Sequence, residues 1–480
     1  MKKIILFLVI LALLVPAAAL AATEFSLGGF IKLNSAWDSV QNGTQATGVV
    51  QRNNDALFHH GRFFMTAQES RFNFTIKGPK LWGATTTGFI EMDFDSASDP
   101  TVSGTNSYVP RMRHAMFRLN WPETELMIGQ YFGMFSEYSP EVTGDSEFSN
   151  HGFVNQRVPQ IRLTQKFAGA WTVAGAIAKP YDPGATDVSF ASANLPAGST
   201  GTTLGLEGSS SETPQLQGKL AYEQDLWGKA PFYGRPRGFT AQLTGGWQRT
   251  RYRSNVAAAA FNTFGQNGFG TSNVVQNGQQ YLDPWAIQGT LFIPVLPTYS
   301  NNLAGSASLT AQYFIGQGVS FLGGGRDQDN SWFNFSGFNS TTGQFMYNRV
   351  LMSQFGGYLQ AQYWFSNQWF LNAAWAFNRN YAINGSTSGI LAGQQAGNPA
   401  GYMYAANGGA DQAKLWSEYD LTLWYRPIEA LKFGLQYAYE RTDFLQKLNN
   451  PTAAGIPPAS AGATNVGESH RIQFVAMMFF

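Results

Sequence analysis

Apolar and polar residues alternate with a period of two along much of the chain. Residues 71–77 (RFNFTIK) place apolar side chains at even positions and polar ones at odd positions, and residues 431–440 (LKFGLQYAYE) keep the alternation for ten residues. This period is that of a β-strand with one apolar and one polar face, whereas a helix repeats every three or four residues. A length of ~9–11 residues suits a tilted strand that crosses a membrane.

Segments with this pattern recur along the chain, and the spacers between them fall into two length classes. Short spacers such as 366–367 alternate without exception with long ones such as 134–156. Strict alternation is typical of outer-membrane barrels, which have short periplasmic turns and long extracellular loops. Sixteen segments are predicted as strands: 25–38, 63–77, 83–95, 109–121, 125–133, 157–167, 170–179, 214–225, 238–252, 281–295, 304–318, 350–365, 368–381, 412–426, 431–444 and 468–480.

The predicted fold is therefore all-β: a transmembrane antiparallel β-barrel of about 16 strands, with short periplasmic turns and long extracellular loops. An even strand number puts both termini on the periplasmic side and closes the sheet without an edge. Aromatic residues near the predicted strand ends, such as Trp37, Trp121, Trp285 and Tyr425, are typical of interfacial girdles.

The first residues have the pattern of a targeting segment. Two lysines precede an unbroken apolar run at 4–15, Pro16 ends that run, and an A-x-A pattern follows at 19–21. We predict that residues 1–21 are a cleaved signal peptide and that 22–480 form a single barrel domain. The alternative is a membrane anchor helix, which the proline and the small residues at the end disfavour.

Composition narrows the choice of function. Charged residues make up 13% of the 480, about half the ~25% usual for soluble domains. Aromatic residues reach 15%, cysteine is absent, and 31 basic residues balance 30 acidic ones. These values exclude a disordered chain, a disulfide or cysteine-ligated metal scaffold, and a basic groove for nucleic acid. They favour a surface that faces something other than water.

A barrel of sixteen strands leaves an aqueous channel, which its polar faces should line. The third long spacer, 134–156, carries four acidic residues and no lysine or arginine, so we expect it to fold inward as a constriction loop opposite a basic wall. An exposed acidic loop is the alternative. The acidic candidates are Glu137, Glu141, Asp145 and Glu147, and those for the basic wall, on strands two, four and six, are Arg71, Arg118 and Arg162.

Two further arginines have an ambiguous phase. Strict alternation from Phe117 would turn Arg111 and Arg113 toward lipid. They either lie above the hydrocarbon or are re-aimed into the lumen by a β-bulge. Glu91 and Asp93, on the preceding strand, face the lumen by phase and are predicted to line the pore.

The last predicted strand is apolar, alternates, and ends the chain on Phe480. It resembles the assembly signal of outer-membrane barrels, which implies that Phe480 is recognised by the barrel-insertion machinery.

Three short motifs resemble the DcaP-like outer-membrane porins: residues 70–74 (SRFNF), 111–115 (RMRHA) and 128–131 (IGQY). The resemblance implies a homotrimer of sixteen-stranded barrels whose third loop folds inward and which passes small, often anionic solutes. Some members carry a coiled-coil segment before the barrel. Here residues 25–37 already read as the first strand, so that segment is missing.

The predicted function is an outer-membrane porin for passive diffusion of small hydrophilic solutes, anions included. Its partners would be outer-membrane lipid and lipopolysaccharide; no cofactor, metal or nucleic acid is expected. The alternatives are an outer-membrane enzyme, a gated transporter, and a barrel sheath in a multi-protein complex such as an electron conduit. The five histidines show no metal-ligand spacing and no nucleophile-elbow pattern occurs, which disfavours an enzyme.

Overall fold

A computed structural model describes residues 23–40, 50–53, 59–95, 108–144, 148, 152–181, 211, 213–252, 274–276, 280–322, 331–339, 344–383, 402–403, 413–448 and 464–480. Sixteen strands form one closed antiparallel barrel, so the predicted fold class is confirmed. The strands are β1 (Glu24–Asp38), β2 (Arg62–Thr66 and Arg71–Leu81), β3 (Ala84–Asp93), β4 (Arg111–Asn120), β5 (Thr124–Phe132), β6 (Arg157–Phe167), β7 (Trp171–Ala178), β8 (Gln215–Gln224), β9 (Phe239–Trp247), β10 (Trp285–Leu296), β11 (Ala307–Gln317), β12 (Gln344–Trp364), β13 (Trp369–Ile383), β14 (Ala413–Ile428), β15 (Leu431–Leu448) and β16 (Thr464–Phe479).

The sheet closes where the last strand meets the first. β16 pairs with β1 from Phe30↔Phe479 to Asp38↔Arg471, and Phe480 exchanges two backbone hydrogen bonds of 3.2 Å with Gly29. Each strand is antiparallel to its neighbours in the barrel. Closure forms hydrogen bonds between the backbone N–H and C=O groups of the first and last strands, which would be unpaired at the edges of an open sheet.

Burial in the barrel wall is the reverse of that in a water-soluble protein, because apolar side chains are exposed on the outside and polar ones are buried inside. On the outward face, Leu243 and Leu435 are 54% and 53% exposed, whereas the inward Gln242 and Gln436 are buried. An apolar outer surface and a polar interior are what a strand needs to stand between lipid and a lumen. No helix among the described residues is both long and apolar enough to cross a membrane.

Short turns lie at one end of the barrel, which we call the short-turn end. Turns such as 82–83 and 429–430 join strands there, and Glu24 and Phe480 lie at the same end. The opposite, long-loop end carries smaller elements. These are the strands Thr250–Tyr252, Val274–Gln276, Gln280–Leu282, Ser331–Asn339 and Tyr402–Met403 and the short 3₁₀-helix Val319–Leu322.

Two features depart from the predicted strand map. Residues 63–77 were expected to form one strand, but β2 is interrupted at 67–70, where a turn is closed by Ser70 N donating to the Ala67 carbonyl (3.0 Å). The predicted short turn at 226–237 instead contains a hairpin of Ala230–Phe232 and Arg235–Arg237. Alternation predicts strands, but its local loss at 68–71 (QESR) or across 226–237 does not tell a turn within a strand or a hairpin from an ordinary irregularity.

Candidate constriction site in the barrel lumen

The third loop, residues 134–156, leaves β5 and enters the lumen. It begins with the 3₁₀-helix Met134–Ser136. Met134 N donates to Gln217 Oε1 (2.8 Å) on β8, and Gln288 Nε2 on β10 donates to the Phe135 carbonyl (2.9 Å). Because the side chains of Gln217 and Gln288 are buried inside the barrel, the start of the loop lies against the inner wall.

The same loop continues along the inner wall toward the end of the sheet. Glu141 N donates to Gln360 Oε1 on β12 (2.6 Å), and Asn372 Nδ2 on β13 donates to the Glu141 carbonyl (2.9 Å). Thr143 N then donates to Gln436 Oε1 on β15 (3.0 Å). The described part of the loop therefore follows the wall from β8 to β15, and it does not stand exposed above the barrel.

Glu141 is held in an ion pair at the inner wall. Lys432 Nζ lies 2.5 Å from Glu141 Oε1, and Gln362 Nε2 donates to Glu141 Oε2 (2.7 Å). Lys432 also lies over the Trp424 ring, 3.8 Å from its centroid. A buried carboxylate needs such partners, because removal of a charge from water costs several kcal/mol.

Glu137 lies between two cations. Its oxygens are 2.6 and 2.7 Å from Lys219 Nζ on β8, and Arg162 Nη1 on β6 is 3.5 Å away. The loop carboxylates are thus compensated by the wall on which the loop rests. The other two acidic candidates, Asp145 and Glu147, lie outside the described residues.

The three candidate arginines of the basic wall face the lumen, but only Arg162 contacts a described loop carboxylate. Arg71 Nη1 lies 3.9 Å from Glu91, and Arg118 Nε lies 3.7 Å from Glu125. These two arginines therefore pair with acids of the wall itself. Arg162 thus pairs with the loop directly, and the expectation that the loop acids face Arg71 and Arg118 across the lumen stays a prediction.

Two of these arginines share one aromatic ring. The guanidinium carbons of Arg118 and Arg162 are 4.8 and 5.9 Å from the ring centroid of Tyr131, which lies on β5 between their strands. Within the described structure the Nε atoms of both arginines are buried without a hydrogen-bond partner. Cation–π contacts of this kind help to fix both guanidinium groups against the inner wall.

Arg111 and Arg113 are turned into the lumen by a β-bulge. The register of β3 and β4 shifts between Glu91 and Met92, which leaves Met112 outward and 52% exposed. Arg113 Nη1 then lies 2.5 Å from Asp93 Oδ2, and Arg111 Nη2 lies 2.7 Å from the same atom. The bulge is the correct alternative for these arginines.

Glu91 and Asp93 are bound by the two arginines that the bulge turns inward. Arg113 Nε donates to Glu91 Oε1 (2.9 Å), and Asp93 is fully buried between Arg111 and Arg113. The two acids are therefore compensated within the wall. Among the described residues no group of three His, Asp or Glu side chains is placed to hold a metal ion.

Three further side chains complete the candidate site, and the two lysines among them face the lumen as their phase in the sequence predicts. Lys219 and Lys432 form ion pairs with the loop carboxylates, and the Tyr131 ring lies beside the guanidinium groups of two arginines. Both lysines belong to the polar faces of their strands, so phase alone places them in the lumen. Their pairing with the loop could not be read from the sequence, because it depends on how the loop packs.

A closed sixteen-stranded barrel with its third loop along the inner wall has the architecture of outer-membrane channels. No family model and no curated protein matches the sequence. The structure is similar to the outer membrane channel DcaP of Acinetobacter baumannii, with a TM-score of 0.59 and 13% identity over 96% of this chain and 98% of that one. It is also similar to an anion-selective porin from Comamonas acidovorans, with a TM-score of 0.50 and 11% identity over 95% and 100% of the chains. The resemblance indicated by the sequence motifs is confirmed for the fold.

Proposed function

We propose that this chain is an outer-membrane porin through which small hydrophilic solutes diffuse passively. The observation that carries the proposal is the attachment of the third loop to the inner wall of a closed barrel. Hydrogen bonds between the loop backbone and the side chains of Gln288, Gln360 and Gln436 hold it there. A loop so held narrows a lumen that sixteen strands would otherwise leave wide.

The passage runs between the third loop and the wall formed by β2 to β6. Most loop contacts are to β8, β10, β12, β13 and β15, so most of the loop lies across the barrel from this wall. It also meets Arg162 on β6 through Glu137 and Lys32 on β1 through the Thr143 carbonyl. The wall of β2 to β6 carries the three arginines of the sequence prediction, Arg71, Arg118 and Arg162. These residues form the selective face of the constriction.

The constriction prefers anions over cations. Glu137 and Glu141 are neutralised by Lys219 and Lys432, so the loop side presents little negative potential. Arg118 and Arg162 meet their carboxylate partners only at 3.7 and 3.5 Å, and the Arg118 side chain is 26% exposed to the lumen. Charged groups in a walled passage focus the field on permeants. The name of the similar Comamonas protein supports this preference.

The orientation and partners follow from the same function. The short-turn end faces the periplasm of a Gram-negative cell, residues 1–21 are removed on export, and 22–480 form the barrel domain. Outer-membrane lipid and lipopolysaccharide surround the apolar outer face. The insertion machinery recognises Phe480, and three copies form a homotrimer. The chain acts by passive diffusion and not as an enzyme or as a sheath.

The function is tested by single-channel current in a planar bilayer under a salt gradient, on protein refolded to its heat-modifiable form. Equal current steps in groups of three, and a reversal potential of the sign that anion selectivity gives, are expected.

The double variant Arg118→Gln/Arg162→Gln should move the reversal potential toward that of a cation-selective channel. Arg379→Gln is the matched control, because Arg379 is exposed on the outward face of β13. A folded barrel without conductance would contradict the porin and favour a sheath or an enzyme.

A further inference from the structure

The turn between β8 and β9 contains a hairpin, which we call the inner hairpin (residues 230–237). Ala230↔Arg237, Pro231↔Pro236 and Phe232↔Arg235 are its paired positions. Tyr233 and Gly234 form its tip with φ of 51° and 70°. Two successive positive φ values are typical of the tightest hairpin turns, and tyrosine adopts them only where its surroundings hold it.

The inner hairpin lies inside the barrel at the short-turn end. Ser308 Oγ on β11 donates to the Pro231 carbonyl (3.0 Å), and the ring of Phe232 is 5.6 Å from that of Phe292 on β10. At the tip, a Cβ on Gly234 would come 2.7 Å from Nη1 of Arg426 on β14. The hairpin therefore reaches across the lumen from β8 and β9 as far as β14.

The tip of this hairpin touches the third loop. Tyr233 Oη lies 2.9 Å from the Ser139 carbonyl and 3.0 Å from the Pro140 carbonyl, to which it donates. From the barrel wall, Tyr358 Oη donates to the Tyr138 carbonyl (2.5 Å). Three consecutive carbonyl groups of the loop are thus held by two tyrosine hydroxyls, one from the hairpin and one from β12.

Packing strengthens the contact between hairpin and loop. The rings of Phe232 and Tyr138 have centroids 5.4 Å apart, and the Arg237 guanidinium lies 4.7 Å from the centroid of Tyr138. Arg237 is itself fixed by Glu223 on β8 (2.7 Å). Two residues of the hairpin, Phe232 and Arg237, therefore pack against the Tyr138 ring of the loop.

We infer that the inner hairpin is a strut that fixes the third loop and so sets the largest solute that the channel passes. Tyr233 is the positioning residue: it bonds the loop backbone and acts on the permeant only through the loop. This inference rests on the proposed porin function. Wall residues bind the loop at Phe135 and from Glu141 onward, and the two Tyr233 contacts lie between them at Ser139 and Pro140. Without the hairpin this stretch would lose two of its contacts, and loop segments move on the ns–μs timescale, so the width of the passage there would vary.

The strut is tested with Tyr233→Phe, which removes the hydroxyl and keeps the ring. The matched control is Tyr299→Phe, because Tyr299 Oη donates to the Trp227 carbonyl (3.0 Å) at the same end without contacting the loop. Liposome swelling is measured with a small and a larger sugar. The ratio of large-solute to small-solute flux should rise about threefold in Tyr233→Phe, the population change that one lost hydrogen bond typically gives. The control should keep the wild-type ratio.

The ratio separates a change in pore width from a loss of folded channels, because fewer channels lower both fluxes equally. A wild-type ratio in Tyr233→Phe, in a channel that conducts, would overturn the strut and leave the porin function intact. Failure of the wild-type protein to conduct would instead overturn the porin function.

A thiol measurement tests where the hairpin lies. The chain contains no cysteine, so Arg235→Cys introduces a single thiol near the exposed tip. Reaction with a bulky, membrane-impermeant thiol reagent should lower the single-channel current, because the label would stand in the mouth of the passage. Complete labelling with unchanged current would contradict a hairpin inside the lumen.

Discussion

Lys219 Nζ lies 2.6 and 2.7 Å from the two carboxylate oxygens of Glu137. One residue is on the barrel wall and the other is on the third loop, so this ion pair both anchors the loop and removes a negative charge from the passage. Arg162 approaches the same carboxylate at 3.5 Å. Glu137 is therefore one loop acid shared by two cations of the wall.

Glu137→Gln should make the channel more selective for anions, because it removes the negative charge between Lys219 and Arg162. The measurement is the reversal potential under a salt gradient. Glu24→Gln is the control: Glu24 forms an exposed pair with Lys77 (3.4 Å) at the short-turn end, where solvent screens it. Equal reversal potentials for Glu137→Gln and the wild type would show that the carboxylate does not face the permeant.

Lys432→Met should destabilise the third loop more than the double variant Lys432→Met/Glu141→Gln. The single change leaves the buried Glu141 carboxylate without its cation, at a cost of about 3–5 kcal/mol. The double change leaves neutral groups in the same space. The current noise of the open channel should be higher in the single variant than in the wild type. In the double variant it should lie closer to the wild-type level. Identical behaviour of the two would mean that the ion pair does not hold the loop.

Arg113→Ala should lower barrel stability much more than Arg111→Ala. The Arg113 side chain is 2% exposed and bonds both Glu91 and Asp93, whereas that of Arg111 is 33% exposed. We expect a loss of about 3–5 kcal/mol for Arg113→Ala and a smaller loss for Arg111→Ala, because Arg113 still neutralises the buried Asp93. Urea unfolding followed by tryptophan fluorescence measures the difference. Equal losses would contradict the bulge that turns Arg113 inward.

Deletion of Phe480 should reduce the yield of assembled barrel in cells and leave the conductance of refolded protein unchanged. Phe480 exchanges backbone hydrogen bonds with Gly29 at the seam, and its side chain is 47% exposed on the outer face, far from the constriction. The surface protein is quantified by heat modifiability on gels. Substitution of Met478, which is similarly exposed on the same strand, serves as the control. Normal assembly without Phe480 would reject its role as a signal.

The strands were predictable because each strand has an apolar environment on its outer side and a polar lumen on its inner side. A residue such as Leu243 faces outward and its neighbour Gln242 faces inward, so a period of two follows from the two environments. Sequence alternation therefore placed most strands within a few residues of their ends. The inward phase of Arg71, Arg118 and Arg162 was predictable on the same ground.

The rest of the site depends on structural features that the alternation of apolar and polar residues does not reveal. One extra residue in β4 reverses the phase of Arg111, and no local pattern distinguishes that bulge from a continuous strand. The partners of Glu137 and Glu141 lie on strands far along the chain, so only the packed loop reveals them. The inner hairpin resembles an ordinary turn because its residues, including Pro231 and Pro236, are those of turns.

The long span of the loop contacts has a consequence for biogenesis. Glu141 is separated from Lys432 by 291 residues and Thr143 from Gln436 by 293, whereas the strands next to the loop pair locally. Contacts between distant parts of a chain form late, after the loops between them have closed. The final strands must therefore be in place before the third loop reaches its position. A barrel caught before β15 is paired would therefore lack the contacts that hold the loop against its wall.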